Sequence, residues 1–190
     1  MQEFYMKKFA IAGAAAALFV VPAAANAQAW VQAETGLDVV SIGGESDEGV
    51  SYGASAGYDV ALSGGMFVGI QGTVADSSTK ECVRDFDVVG DKLCVKTGRD
   101  LAAVVRLGTT VGESTKLYVL GGYANGRVRL TYNDGVDSDS IGENGDGFRL
   151  GAGAQYTLSN NMFVKGEYRY TNYESDFSRH NVLVGLGFQF

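Results

Sequence analysis

Val50, Tyr52, Ala54, Ala56, Tyr58 and Val60 alternate with Ser51, Gly53, Ser55, Gly57 and Asp59, a period of two that an extended strand sorts onto two faces. The same division recurs in Phe148, Leu150, Ala152, Ala154 and Tyr156, in Met162, Val164, Gly166, Tyr168 and Tyr170, and in Val182, Val184, Leu186, Phe188 and Phe190. Trp30 to Ile42, Met66 to Ala75, Arg99 to Thr109 and Leu117 to Tyr132 fit less regularly, which makes eight predicted strands. Helical periodicity is absent from residue 29 onward, so the expected fold class is all-β.

Connector length then selects the architecture. Leu62 to Gly65, Thr110 to Thr115 and Ser159 to Asn161 are short, whereas Gly43 to Gly49, Asp76 to Gly98 and Asn133 to Gly147 are long and polar. An even number of antiparallel strands with turns at one end and loops at the other describes an eight-stranded transmembrane β-barrel. A soluble lipocalin-like barrel is the alternative. The polar faces oppose it, because they carry Gly and Ser rather than the Lys and Glu of a solvated surface. Aromatics on the apolar faces gather in two groups: Tyr58, Tyr118, Tyr156, Phe188 and Phe190 toward the turns, and Tyr52, Tyr132, Phe148 and Tyr170 toward the loops. Two such girdles are what lipid interfaces select.

The leader agrees with that destination. Lys7-Lys8 precede an apolar run from Phe9 to Val21 and a small-x-small triplet at Ala25, Asn26 and Ala27, so residues 1–27 are expected to be an export signal and 28–190 the barrel domain. The run of about 13 apolar residues is too short for the ~20 that a spanning helix needs. Cys82 and Cys94 are the only cysteines in an exported chain, with no Cys-x-x-Cys spacing, and a disulfide is expected between them. It would clip the second loop, whose Val83, Phe86, Val88, Val89 and Leu93 suggest a small cap or an apolar binding surface, with a bare hairpin as the alternative.

The predicted inward parity collects Glu34, Asp38, Asp59, Asp100, Arg106, Arg127, Arg129, Arg149, Lys165, Glu167 and Arg169, five acids and six bases. These charges read either as an ion or proton path or as a salt-bridge network. An eight-stranded barrel is only wide enough for side chains, which favours the network and disfavours a large pore. The formal net charge is −7, so nucleic acid is not an expected partner, and the acid-rich loops would attract a cationic one. Neither a metal nor another cofactor is expected. Asp137-x-Asp139-x-Ile141-Gly142 only approaches a calcium loop, since Ile141 replaces an oxygen ligand. Ser178 and His180 lie together near the loop end, where a lipid A-modifying hydrolase could keep a nucleophile and base; with no dedicated acid to orient that base, a polar membrane rim is the preferred reading.

The ending Arg179-His-Asn-Val-Leu-Val-Gly-Leu-Gly-Phe-Gln-Phe190 resembles the closing strand of the small outer-membrane β-barrel family that includes opacity-type proteins and the OmpX and OmpA membrane domains. Phe163-Val-Lys-Gly-Glu-Tyr-Arg-Tyr170 and Phe148-Arg-Leu-Gly-Ala-Gly-Ala-Gln-Tyr156 resemble its penultimate strands. The resemblance implies a bacterial outer-membrane protein, non-enzymatic, with extracellular loops, periplasmic termini and a structural or adhesive role; a narrow porin-like channel is the alternative. Its implied partners are outer-membrane lipid and lipopolysaccharide, extracellular surface ligands, and the barrel-assembly machinery, for which Phe190 would be the signal. No peptidoglycan-binding domain is expected after Phe190.

Overall fold

The computed structural model describes residues 27–42, 45–84, 92–133, 138–158, 161–174 and 177–190. Nine strands follow in order: β1 (Ala27–Ile42), β2 (Glu45–Ala61), β3 (Met66–Ser77), β4 (Lys80–Arg84), β5 (Lys92–Val111), β6 (Thr115–Asn133), β7 (Ser138–Thr157), β8 (Met162–Tyr173) and β9 (Phe177–Gln189). Every pairing is antiparallel between neighbours, and β1 joins β9 while β3 joins β5, so all strands except β4 close into an eight-stranded barrel. Closure leaves no open edge within the barrel wall. The turn end is tight. Gly64, Gly112 and Asn161 take positive φ angles there, which glycine and asparagine tolerate best.

The hairpin end differs from expectation. Two of the three long connectors are largely strand: Ser41 pairs with Ser46, and Asn133 pairs with Ser138. In the second, β4 pairs with β5 up to Arg84 opposite Lys92, and the tip, which carries Phe86, Val88 and Val89, lies outside the described residues. β5, β6 and β7 run 20, 19 and 20 residues, although roughly 9–11 suffice to cross a bilayer. Beyond the barrel they continue with β4 as a four-stranded ribbon. The alternation of hydrophobicity stops where both faces meet water, but the backbone ladder does not, so the strands outrun their hydrophobic pattern.

Outward positions form an apolar belt. Val31, Leu37, Val74, Val119, Leu150, Val164, Val184 and Leu186 are all exposed, with Val184 at 63%. Among the described residues no helix is long and apolar enough to cross a membrane. A belt of this extent around a closed barrel exceeds the scattered apolar surface of a water-soluble monomer, and a lipid acyl phase satisfies it.

Inside, the glycines have a steric role. Trp30 stands opposite Gly57, Phe67 opposite Gly108, Tyr118 opposite Gly153 and Phe163 opposite Gly187 in the strand register. A Cβ built on any of these four glycines would collide with the facing ring. Each large interior side chain thus lies flat across the neighbouring strand because that strand offers no side chain there. Four of the chain's 27 glycines thus record where the interior aromatics sit.

Candidate functional site

The interior is organised in tiers of charge, each built by strands from different parts of the chain. Near the hairpin end, Asp38 of β1 accepts two hydrogen bonds from Arg179 of β9, at 2.6 and 2.7 Å, and one from Asn181 at 2.8 Å. Ser77 and Thr79 also donate to its carboxylate. Asp100 of β5 accepts from Arg149 of β7 at 2.5 Å and from the Tyr173 hydroxyl at 3.1 Å, with Arg179 3.8 Å away. Two carboxylates and two guanidinium groups are thereby joined across the barrel.

The middle tier centres on Arg169 of β8. It donates to both oxygens of Glu34, at 2.6 and 2.8 Å, and its Nε donates to Glu167. Glu167 also accepts from the Tyr118 hydroxyl at 2.5 Å and lies 3.1 Å from the Lys165 ammonium. Ser55 and Gln32 complete the shell of Glu34. Paired geometry of this kind is what makes charge tolerable in a low-dielectric interior, where a stranded ion costs several kcal/mol.

Toward the turn end, aromatic faces take over from carboxylates. The Arg106 guanidinium is wholly buried, 4.0 Å from the Tyr118 ring centroid and 4.7 Å from that of Trp30. Asp59 is 3.6 Å from it, and Asp59 also holds Lys116 at 3.1 Å. A cavity of about 170 Å³ lies here, lined by Gln28, Asp59, Phe67, Thr110 and Lys116 among others.

Nine of the eleven expected inward charges are placed inward: Glu34, Asp38, Asp59, Asp100, Arg106, Arg149, Lys165, Glu167 and Arg169. Arg127 and Arg129 are not. They share the outward parity of Val119 and Tyr123 on β6, and Arg129 is exposed. The interior bases missed were Lys116 and Arg179, so the balance of five acids and six bases is unchanged. The cause lies in β6, where Leu117, Tyr118, Val119 and Leu120 are apolar on both parities and alternation has no sign. Tyr118 consequently belongs to the interior, with Phe67, Val104 and Leu120, instead of to the turn-end girdle. Arg179 had a usable signal: it stands two residues before Asn181 on an inward parity already assigned.

Cys82 and Cys94 are bonded, and they sit directly opposite each other on β4 and β5. The disulfide therefore ties the ribbon and not the barrel. His180 accepts or donates a 2.7 Å hydrogen bond with the Tyr168 hydroxyl and packs on Tyr170, while Ser178 pairs across to Asn172. Asp137 lies outside the described residues, and among those described no group of three potential metal ligands occurs. Phe190 ends the chain with its ring 73% exposed and its amide bonded to the Ala29 carbonyl at 2.8 Å.

Comparison with known proteins places this geometry. The crystal structure of Ail, the attachment invasion locus protein of Yersinia pestis, overlays with a TM-score of 0.62 at 15% identity, over 87% of this chain and 99% of that one. Neisserial surface protein A gives 0.56 at 17% identity, over 85% and 97%. These likenesses concern the fold. In sequence, the 31 kDa outer-membrane immunogenic protein of Brucella melitensis is 31% identical over 156 residues, which is 73% of this chain and 65% of that protein. The 25 kDa outer-membrane immunogenic protein of Brucella ovis is 27% identical over 161 residues, 85% and 72% of the two chains. This chain thus spans about two thirds of the length of these relatives. The family model for the outer membrane protein beta-barrel domain matches residues 11–190, and the chain belongs to that family of outer-membrane β-barrels.

Proposed function

We propose that this protein is a closed, non-enzymatic barrel whose ribbon end is extracellular and serves surface contact, while the turns and both termini are periplasmic. The observation that carries the reading is the network of ion pairs that fills the interior: Asp38–Arg179 between neighbouring β1 and β9, Glu34–Arg169 between β1 and β8, Asp100–Arg149 between β5 and β7, and Arg179 reaching across from β9 to within 3.8 Å of Asp100 on β5. Side chains held in this way leave no water-filled path for ions. Short turns at one end and long hairpins at the other support the orientation. Surface contact is supported by the neighbours: Ail is an attachment invasion locus protein, crystallised with a heparin analogue, and the Brucella relatives are named for immunogenicity.

Residues 1–27 fit an export signal, and the exposed Phe190 on the closing strand fits a contact for the barrel-assembly machinery. Acid is carried by the β1–β2 hairpin, through Glu45, Asp47 and Glu48, and most heavily by residues 133–147, through Asp134, Asp137, Asp139, Glu143 and Asp146. The engagement of His180 by Tyr168 instead of Ser178 supports the absence of hydrolase activity. The test is planar-bilayer recording of the purified, refolded protein. No steady current steps are expected. Uniform, reproducible steps would replace this reading with a narrow channel.

A further inference from the structure

The strand register of the ribbon sets like charges side by side. Lys80 of β4 pairs with Lys96 of β5, and Lys96 pairs with Arg129 of β6. Directly opposed residues share a face, so three bases form one row, spaced about 4.8 Å from strand to strand. Arg127 has the same parity as Arg129 and lays its guanidinium against Gly142 of β7, where any side chain would displace it. All of Lys80, Lys96 and Arg129 are exposed.

None of these four bases has an acidic partner among the described residues. Of the carboxylates on the adjoining outer rim, Asp146 accepts from Tyr123 at 2.5 Å and Asn125 at 2.6 Å, Asp76 accepts from the Ser77 amide, and Glu174, just past β8, stands one strand further from the row than Asp146. Like charges directly opposed across strands destabilise a sheet, so the row gains from an external anion.

The direction of the row identifies that anion. The outward parity continues that of the lipid-facing belt, so these side chains point away from the barrel axis and over the surrounding membrane. Arg127 and Arg129 lie four and six residues beyond Tyr123 on the same strand, or roughly 10 and 15 Å along the membrane normal at the usual barrel tilt. Long basic side chains bend toward the interface. That is the level of headgroup phosphates, whereas a ligand arriving from the medium would meet the ribbon tip first.

We propose that Lys80, Lys96, Arg127 and Arg129 form a binding site for the phosphate groups of outer-leaflet glycolipid, lipid A, contacting them directly without bridging divalent cations. The proposal rests on the ribbon end being extracellular. It also revises the expectation of a purely cationic partner, because summing loop charge discards the cross-strand register that sets Lys80, Lys96 and Arg129 in one row.

The test uses full-length protein folded in neutral detergent micelles, with bisphosphorylated lipid A as the probe and co-purification as the readout. In the presence of EDTA the protein should retain the lipid, and Lys80→Gln, Lys96→Gln and Arg129→Gln together should weaken retention at least tenfold. Monophosphorylated lipid A should bind more weakly. The charge-keeping set Lys80→Arg, Lys96→Arg and Arg129→Lys should preserve binding, and all variants should keep the heat-modifiable folded band. Retention unchanged in the Gln variant, or abolished by EDTA, would overturn the proposal. So would retention of a sulfated oligosaccharide on the row with lipid A unaffected. Micelles make the result independent of orientation, which is read separately by labelling the ribbon on intact cells.

Discussion

The barrel interior and the ribbon's outer face both carry clustered cations, and they treat them oppositely. Inside, Arg169 touches Glu34 and Glu167, Arg179 touches Asp38, and Arg149 touches Asp100. On the ribbon, Lys80, Lys96 and Arg129 stand in line with no carboxylate partner among the described residues. Burial accounts for the contrast: an unpaired ion in the interior costs several kcal/mol, whereas at the surface water meets most of the demand and leaves the charge available to a partner. Charge alone is therefore no guide to role in this protein. The distance to the nearest opposite charge is.

The sharpest way to break the comparison is to strand an interior ion. Arg169→Ala should destabilise the folded barrel by about 3–5 kcal/mol, read as the urea midpoint in detergent, because two buried carboxylates lose their shared partner. A loss no larger than that of a ribbon substitution would erase the distinction. Next in size is a charge on the third environment, the lipid face. Leu150→Arg should lower folding into vesicles by about 2–4 kcal/mol and Leu158→Arg, beside the turn, by about 0–1. Equal penalties would misplace the membrane span.

The disulfide belongs to the ribbon side of the comparison. Cys82→Ser with Cys94→Ser should leave heat-modifiable gel mobility intact and speed protease cleavage between Lys80 and Lys96, since the barrel closes through β3–β5 without it. Disappearance of the folded band would make the bridge part of the scaffold. The smallest effect is expected for Arg129→Ala, whose stability should stay within about 0.5 kcal/mol of the parent by the same urea titration.

The sequence revealed the barrel wherever one face met lipid and the other the interior. β8 and β9 are legible for that reason: Val164, Tyr168, Val182 and Val184 alternate with Lys165, Glu167, Asn181 and Leu183, and nine of eleven interior charges followed from parity. Legibility failed in two physical situations. On β6 the interior itself is apolar, at Tyr118 and Leu120, so inside and outside carry the same hydrophobicity and the two arginines further along set the wrong parity. Beyond the membrane both faces are wet, and the strands of the ribbon, including Lys92–Gly98 and Ser138–Gly147, looked like loop. The basic row is a property of cross-strand register. Lys80, Lys96 and Arg129 are far apart along the chain, and without pairing nothing brings them together.

The central claim is that interior charges act as mutually dependent pairs, and a double-mutant cycle on Glu34 and Arg169 tests it most directly. Glu34→Gln, Arg169→Met and the double variant would be compared by urea unfolding in the same micelles. The predicted result is a coupling of at least about 1.5 kcal/mol, with the double variant more stable than the sum of the single losses implies. Additivity within about 0.5 kcal/mol would show that the two groups are independently solvated, and the claim of a mutually satisfied interior would be wrong.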